Sequence, residues 1–376
     1  MATMTVTGPL NTLRDYHTAE LLSNGNVIAI AGSGSSGYLA SCEIFNGATW
    51  SYTTGSLTNA RNQHCSVVLN DDRVLVVGGQ NGSAMSSCEL FNGTSWSPAA
   101  SLNTARYRHT LVKLQNGKVL AIGGATTIAS CEIYDPVANT WTYTTGSLNT
   151  GRNRHSSVLL NNGKVLTVGG STGGAGITSC ELYDPVANSW STTGGMSVGR
   201  LLPTLTLLNN GNVLVTGGAL TTVCQIFTGS GWTSANSMST GRSESMASIL
   251  NNGYVVVMGG QTGASTITNT CELFDGTNWT STSSLTSAKF RFTLTKLLDG
   301  TVLSTGGWST TGGTFSPTCE IYAYAPPPTI LNLAETTVFS DDARIPKIIS
   351  ISGSLKLGEW FSSNTGHDGI WGNRNT

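Results

Sequence analysis

The 376 residues predict an all-β fold, a seven-bladed β-propeller closed by its N-terminal strand and followed by a short C-terminal extension. Three observations predict it. A basic residue recurs at Arg14, Arg61, Arg106, Arg152, Arg200, Arg242 and Lys289, in steps of about 42 to 48 residues, the length of one four-stranded blade. Each is followed by two short apolar runs separated by a turn, the signature of a hairpin and not of a helix. A third segment then repeats the pattern Cys-Glu-Ile/Leu-Tyr/Phe, as at Cys131 to Tyr134.

The elements of one unit follow in order from His155, where HSSVLL makes the first strand and KVLTVGG, ending at Gly169 and Gly170, makes the second. Between them stands Asn162-Gly163. The same dipeptide recurs at Asn24-Gly25, Asn116-Gly117, Asn210-Gly211 and Asn252-Gly253, with Asp299-Gly300 in the last unit. It predicts a type I′ turn, in which both central residues take positive φ. A variable loop leads to the Cys-Glu strand, and a Trp opens the fourth strand at Trp50, Trp96, Trp141, Trp190, Trp232 and Trp279. The 46 Gly residues and the abundant Ser, Thr and Asn suit many short strands and leave almost no helix.

With Gly-Gly, an aromatic, Trp and a basic residue in this order, the chain resembles the Kelch repeat family over residues 1 to about 325. Two units depart from the pattern. The first has Ala31-Gly32 for Gly-Gly, and the seventh runs from Cys319-Glu-Ile-Tyr322 to Ala323 and the prolines without a Trp. Its missing strand is expected at the start of the chain, because Met4 to Leu10 (MTVTGPL) repeats the pattern of Tyr52 to Leu57 (YTTGSL). Such pairing closes the ring and removes an open sheet edge.

The repeating polar residues read as scaffold. Six units carry a Glu in the third strand, at Glu43, Glu89, Glu132, Glu181, Glu272 and Glu320, with Gln225 as the exception. Matched to the seven basic residues, they predict ion pairs or charge-assisted hydrogen bonds that fasten the blades. Cys42, Cys88, Cys131, Cys180, Cys224, Cys271 and Cys319 occupy one equivalent position per unit. Blade spacing holds such positions beyond the roughly 7 Å Cα separation that a disulfide bridges, so they are expected to be buried free thiols, and Cys65 has no evident partner. His17, His64, His109 and His155 stand three residues after the Arg and give way to Pro203, Ser245 and Phe292 in the other units. A ring keeps equivalent side chains apart, so these read as satisfied imidazoles at the start of the innermost strand and no metal is expected.

Candidate binding residues lie where the repeat varies. Tyr16, Gln63, Tyr107, Arg108, Asn153, Arg154, Glu244, Phe290 and Arg291 stand between the basic and His positions, among Asp15, Asn62, Leu201, Leu202 and Ser243. Variation on a fixed scaffold is where binding concentrates. The resemblance implies that in peptide-recognising propellers these positions line the mouth of the central channel. Arg108, Arg154 and Arg291 then make one sector positive beside Tyr16, Tyr107 and Phe290, which suits an acidic peptide or a glycan.

Other functions find little support. With 19 Lys and Arg against 20 Asp and Glu, no global field draws the chain to nucleic acid, and no run of 18 apolar residues inserts in a membrane. The start lacks a basic and an apolar signal segment, so cytoplasmic synthesis is expected, with an extracellular particle or virion as one destination. No catalytic residues and no cofactor are identified. Copper oxidases among similar propellers need a Cys linked to a Tyr, two His and a further Tyr, whereas only Cys65 and His367 lie outside repeat positions.

After Pro326-Pro327-Pro328 the repeat stops, and residues 326–376 hold one strand-like stretch, Lys347 to Leu357, and the aromatics Trp360, Phe361 and Trp371. This segment reads as a docking or assembly tail that holds other protein subunits. The leading expectation is therefore a non-catalytic recognition or structural module, attached to a larger assembly such as a virus or phage appendage. A cytosolic adaptor for an acidic peptide and a carbohydrate-active oxidase or epimerase are the alternatives.

Overall fold

The computed structural model describes residues 2–309 and 313–325, with the backbone of Ile330–Leu331 and Leu355–Lys356. Among these residues there is no helix, and the strands form seven four-stranded antiparallel sheets and two short pairs, Ser33–Gly34 with Gly37–Tyr38 and Ile330–Leu331 with Leu355–Lys356. In blade four the strands are Ser156–Leu159, Val165–Val168, Cys180–Asp184 and Ser189–Thr193, hydrogen-bonded in that order. The first strand of every blade touches the first strands of both neighbouring blades, so these seven strands surround a central channel.

Burial follows this radial order. The second strands, such as Val165–Val168 and Val255–Met258, are buried at every residue, as their largely apolar sequences require of a strand covered on both faces, and Thr167 is buried with them. Fourth strands are mostly exposed. The core lies between blades: Leu166, Val168, Cys180 and Met196 of blade four pack with Val213, Val215 and Phe227 of blade five. Each such aliphatic side chain contributes about 1.5–3 kcal/mol by leaving water. All eight cysteines are free, and the seven repeat cysteines are buried. The Trp of the fourth strand tilts against the aromatic of the third, with ring centroids 5.2 Å apart in the pair Tyr183–Trp190.

The hairpin turns differ from the type I′ geometry that Asn-Gly predicts. In blade four Gly163 N–H donates to Leu160 O at 2.9 Å and Leu160 N–H to Lys164 O at 2.8 Å. Gly163 alone has positive φ, at 81°, while Asn162 does not. This is a type I turn followed by a left-handed bulge residue, and Asn162 Oδ1 accepts the Lys164 N–H at 3.1 Å. The loop is one residue longer than a type I′ turn, so only its last position demands glycine.

Glycine is also required where the second strand ends. Gly170 has φ 91°, and a Cβ there would stand 2.5 Å from Asn153 O and 2.8 Å from His155 Cβ. In blade one Ala31 takes the first position of the pair and is itself left-handed, at φ 51°.

Strand Ala2–Thr7 completes blade seven by pairing antiparallel with Cys319–Tyr324, with Met4 opposite Tyr322. It begins two residues before Met4 and stops short of Gly8, and Leu10 is buried beyond it. Residues Ala2–Tyr324 form one compact unit. In the second unit, Ala325–Thr376, Ile330–Leu331 pairs with Leu355–Lys356, the end of the strand expected at Lys347 to Leu357. Trp360, Phe361 and Trp371 lie outside the described residues.

Candidate binding site at the channel mouth

The basic marker fastens the connector into each blade. In blade four the fully buried Arg152 sends Nη2 to Glu181 Oε1 at 2.7 Å and Nη1 to the carbonyls of Gly169 and Ser179 at 2.9 and 2.8 Å. Glu181 also accepts the backbone N–H groups of Asn149 and Thr150 at 2.7 and 3.1 Å. The pair recurs as Arg14–Glu43, Arg61–Glu89, Arg106–Glu132, Arg242–Glu272 and Lys289–Glu320, at 2.6 to 3.0 Å. In blade five Gln225 Oε1 still accepts the Ser197 N–H at 2.9 Å, and Arg200 bonds only the carbonyls of Gly217 and Val223. All seven basic residues are fully buried, so none reaches a ligand.

Two residues further on, every blade holds a non-glycine residue with left-handed backbone: Tyr16, Gln63, Arg108, Arg154, Leu202, Glu244 and Arg291, with φ between 48° and 56°. Such a conformation costs about 1–2 kcal/mol for an L-residue, so it persists only where its surroundings impose it. In blades one to five the neighbouring blades do so. Gln63 N–H donates to Tyr16 O, Arg108 to Gln63, Arg154 to Arg108 and Leu202 to Arg154, at 2.8 to 3.2 Å, linking these five blades along the channel. The seven left-handed positions present one variable side chain per blade. Leu202 belongs to them, although the sequence marks only polar and aromatic candidates.

Tyr16, Gln63, Arg108, Arg154 and Leu202 line a cavity of about 140 Å³, with His64, Cys65, His109 and His155 beneath them. The residues one place earlier are placed differently. Asn153 is buried, with its amide donating to the carbonyls of Ala125 and Thr126 at 2.7 and 2.9 Å. Phe290 is buried against Trp308, with centroids 6.2 Å apart. Neither lines the cavity, which departs from the sequence expectation because their backbones bridge to Ser171 and Trp308 on the loops that follow the glycine pairs. Tyr107 is half-buried beside Arg108, whose Cζ is 5.4 Å from its ring.

The charges at the mouth fall into two groups. Arg291 is neutralised: Nε donates to Glu244 Oε2 at 2.6 Å, Nη1 stands 4.0 Å from Asp15 Oδ2, and Cζ lies 4.5 Å over the ring of Tyr16. Asp15 is buried and its Oδ1 has no partner, so desolvation pushes its carboxyl up to about 7 against the pull of Arg291. Burial also pushes the Tyr16 phenol up to about 12. Across the channel, Arg108 Nε donates to the neutral Gln63 Oε1 at 2.7 Å. Burial and then the charge of Arg154 pull Arg108 down. Among the described residues neither Arg108 nor Arg154 has an acidic partner. The mouth thus has one compensated sector and one with two adjacent, uncompensated guanidinium groups.

Below the left-handed positions, hydroxyl groups bond the imidazole of the next blade. Thr18 Oγ1 meets His64 Nε2 at 3.1 Å, Thr110 meets His155 at 2.9 Å, and Thr293 meets His17 at 3.2 Å. Burial holds these rings neutral, with His64 and His155 pushed down to about 3 and His17 and His109 well below their usual range. His109 breaks the pattern. The residue facing it is Cys65, whose thiol donates to His109 O at 3.0 Å, and both ring nitrogens of His109 lack a partner. The sequence expectation of four satisfied imidazoles fails here because the hydroxyl is replaced by a thiol. Among the described residues no three His, Cys, Asp or Glu side chains converge on a metal-sized site. The imidazoles bonded between blades do not fit a copper centre.

Residues 152–197, the whole of blade four, match the family model of the Kelch motif. No curated protein matches the chain. It is similar in structure to a fungal alcohol oxidase of the AA5 family solved in complex with copper, with a TM-score of 0.68 and 20% sequence identity, over 86% of this chain and 76% of that one. At that identity the likeness is one of fold.

Proposed function

Taking as premise that the chain is a seven-bladed Kelch-repeat propeller, we propose that it is a non-catalytic recognition module that binds an acidic group at the channel mouth. One observation carries the reading: Arg108 and Arg154 stand side by side at left-handed positions, lining a cavity, with no carboxylate among the described residues to neutralise them. A buried or half-buried cation without a counter-ion is costly, and a ligand carboxylate relieves that cost through charge-assisted hydrogen bonds. Arg291, which the sequence groups with them, is engaged by Glu244 and takes no part.

Titration of acidic peptides into the protein by calorimetry tests this. Arg108→Ala and Arg154→Ala are each expected to weaken binding by about 1.5–3 kcal/mol, the worth of a hydrogen bond to a charged group. Glu244→Gln, which restores positive charge to the mouth, is expected to tighten it, and added salt to weaken it. Unchanged affinity in both arginine variants contradicts the reading. Attachment to other subunits through residues 326–376 completes the proposal. It rests on the aromatic composition of that segment, and size-exclusion chromatography with and without it distinguishes a self-assembling chain from a monomer.

A further inference from the structure

The strand position that follows each repeat histidine holds Thr18, Cys65, Thr110, Ser156, Thr204, Met246 and Thr293. At most blade interfaces this residue bonds the next blade just above it. Three threonines bond a histidine ring, while Ser156 and Thr204 donate to the carbonyls of Pro203 and Ser245. At the Met246 interface the facing residue is Phe292, so no polar group is left over. Only at Cys65 is a buried imidazole left with neither nitrogen bonded among the described residues, and His109 and Cys65 both line the cavity under Arg108 and Arg154.

A neutral imidazole carries one N–H donor and one ring acceptor, and leaving them unmet when buried is unfavourable. His109 is 3% exposed, so the polar group that completes it reaches it through the cavity that it lines. The cavity, at about 140 Å³, has room for a tip of about six non-hydrogen atoms, with the rest of a ligand left in the channel. That matches the end of an acidic side chain or a free chain terminus.

We propose that the Cys65–His109 gap is the specificity-determining floor of the channel site, which accepts a single peptide carboxylate held above by Arg108 and Arg154 and bonded below by His109. This rests on the reading of the mouth as an acidic-group site and names its occupant as a protruding peptide carboxylate. The substitution of Cys for Thr is what leaves the imidazole open to a ligand.

Cys65→Thr tests the proposal without altering any residue that would touch the ligand by charge. Threonine there would bond His109 as Thr18 bonds His64, so the variant is expected to melt at a higher temperature and to bind about tenfold more weakly. Two probes separate the sources of the carboxylate: an acetylated, amidated alanine peptide with one internal glutamate, and an acetylated alanine peptide with a free terminus. Binding of either one, weakened by Cys65→Thr, supports the proposal and identifies the source. His109→Phe, a residue that the fold already uses at Phe292, is expected to weaken binding similarly. If Cys65→Thr keeps wild-type affinity while Arg154→Ala loses it, His109 is only structural and the proposal falls while the mouth reading stands. If glucuronate binds more tightly than both peptides, the proposal falls while the mouth reading stands, and if Arg108→Ala and Arg154→Ala both bind normally, both fall.

Discussion

At Gln225 the buried ion pair of the other six blades loses its carboxylate, and Arg200 keeps only carbonyl partners. The site is built to receive a glutamate, because Gln225 already accepts the connector N–H that Glu181 accepts in blade four. Gln225→Glu is therefore expected to raise the melting temperature. Glu181→Gln, which strands the fully buried Arg152, is expected to cost about 3 kcal/mol. Thermal unfolding in which the two variants change in the opposite order contradicts this account. The pairing was legible in the sequence because charge of both signs recurs at a fixed spacing. The left-handed position was not legible at Leu202, since nothing about an apolar residue announces positive φ.

Titration acts at the same scale. His64 and His155 stay neutral in the fold down to about pH 3, whereas an unfolded imidazole protonates near pH 6.5. Between those values the unfolded chain binds more protons, so stability is full above about pH 6.5 and is lost as pH falls towards 3. Asp15 acts in the opposite sense, with a folded value of about 7 against 3.8 unfolded, so its contribution is lost as pH rises through 7. Burial raises the Glu20 carboxyl in the same sense, and the four buried imidazoles outweigh the two carboxyls. The melting temperature is expected to fall steadily from pH 6.5 to pH 4, and a flat profile over that range contradicts it.

Among the elements, strand Ala2–Thr7 has the longest reach in sequence, since its partner is Cys319–Tyr324. Its place followed from the sequence because the seventh unit lacks a fourth strand and the N-terminus repeats one. Deleting residues 1–7 strips the outer strand from blade seven and leaves the row of backbone groups on Cys319–Tyr324 unpaired. The variant is expected to melt well below the full chain and to aggregate by light scattering, and unaltered melting contradicts the closure. The hairpin turns were less legible. Asn-Gly marks a turn in either geometry, and the difference lies in whether the loop counts two residues or three, which depends on the register of strands such as Ser156–Leu159 and Val165–Val168.

For the whole molecule, sevenfold repetition fixes the scaffold and leaves one variable side chain per blade at the mouth. The sequence located that variable segment. It did not distinguish its members, because Asn153 and Phe290 differ from Arg154 and Arg291 in which way the chain turns, and Arg291 differs from Arg154 in having Glu244, Asp15 and the ring of Tyr16 about it. The fold thereby places charge in one sector and neutralises it in the other, and sets Cys65 beneath the charged sector as the one cysteine that is not buried.

That thiol reports directly on occupancy of the channel. Its alkylation rate at alkaline pH, followed by intact mass with and without a saturating glutamate peptide, reads out whether the ligand sits there. Protection by at least about tenfold, abolished by Arg154→Ala, is the predicted result, and an unchanged rate at saturation would contradict the central claim.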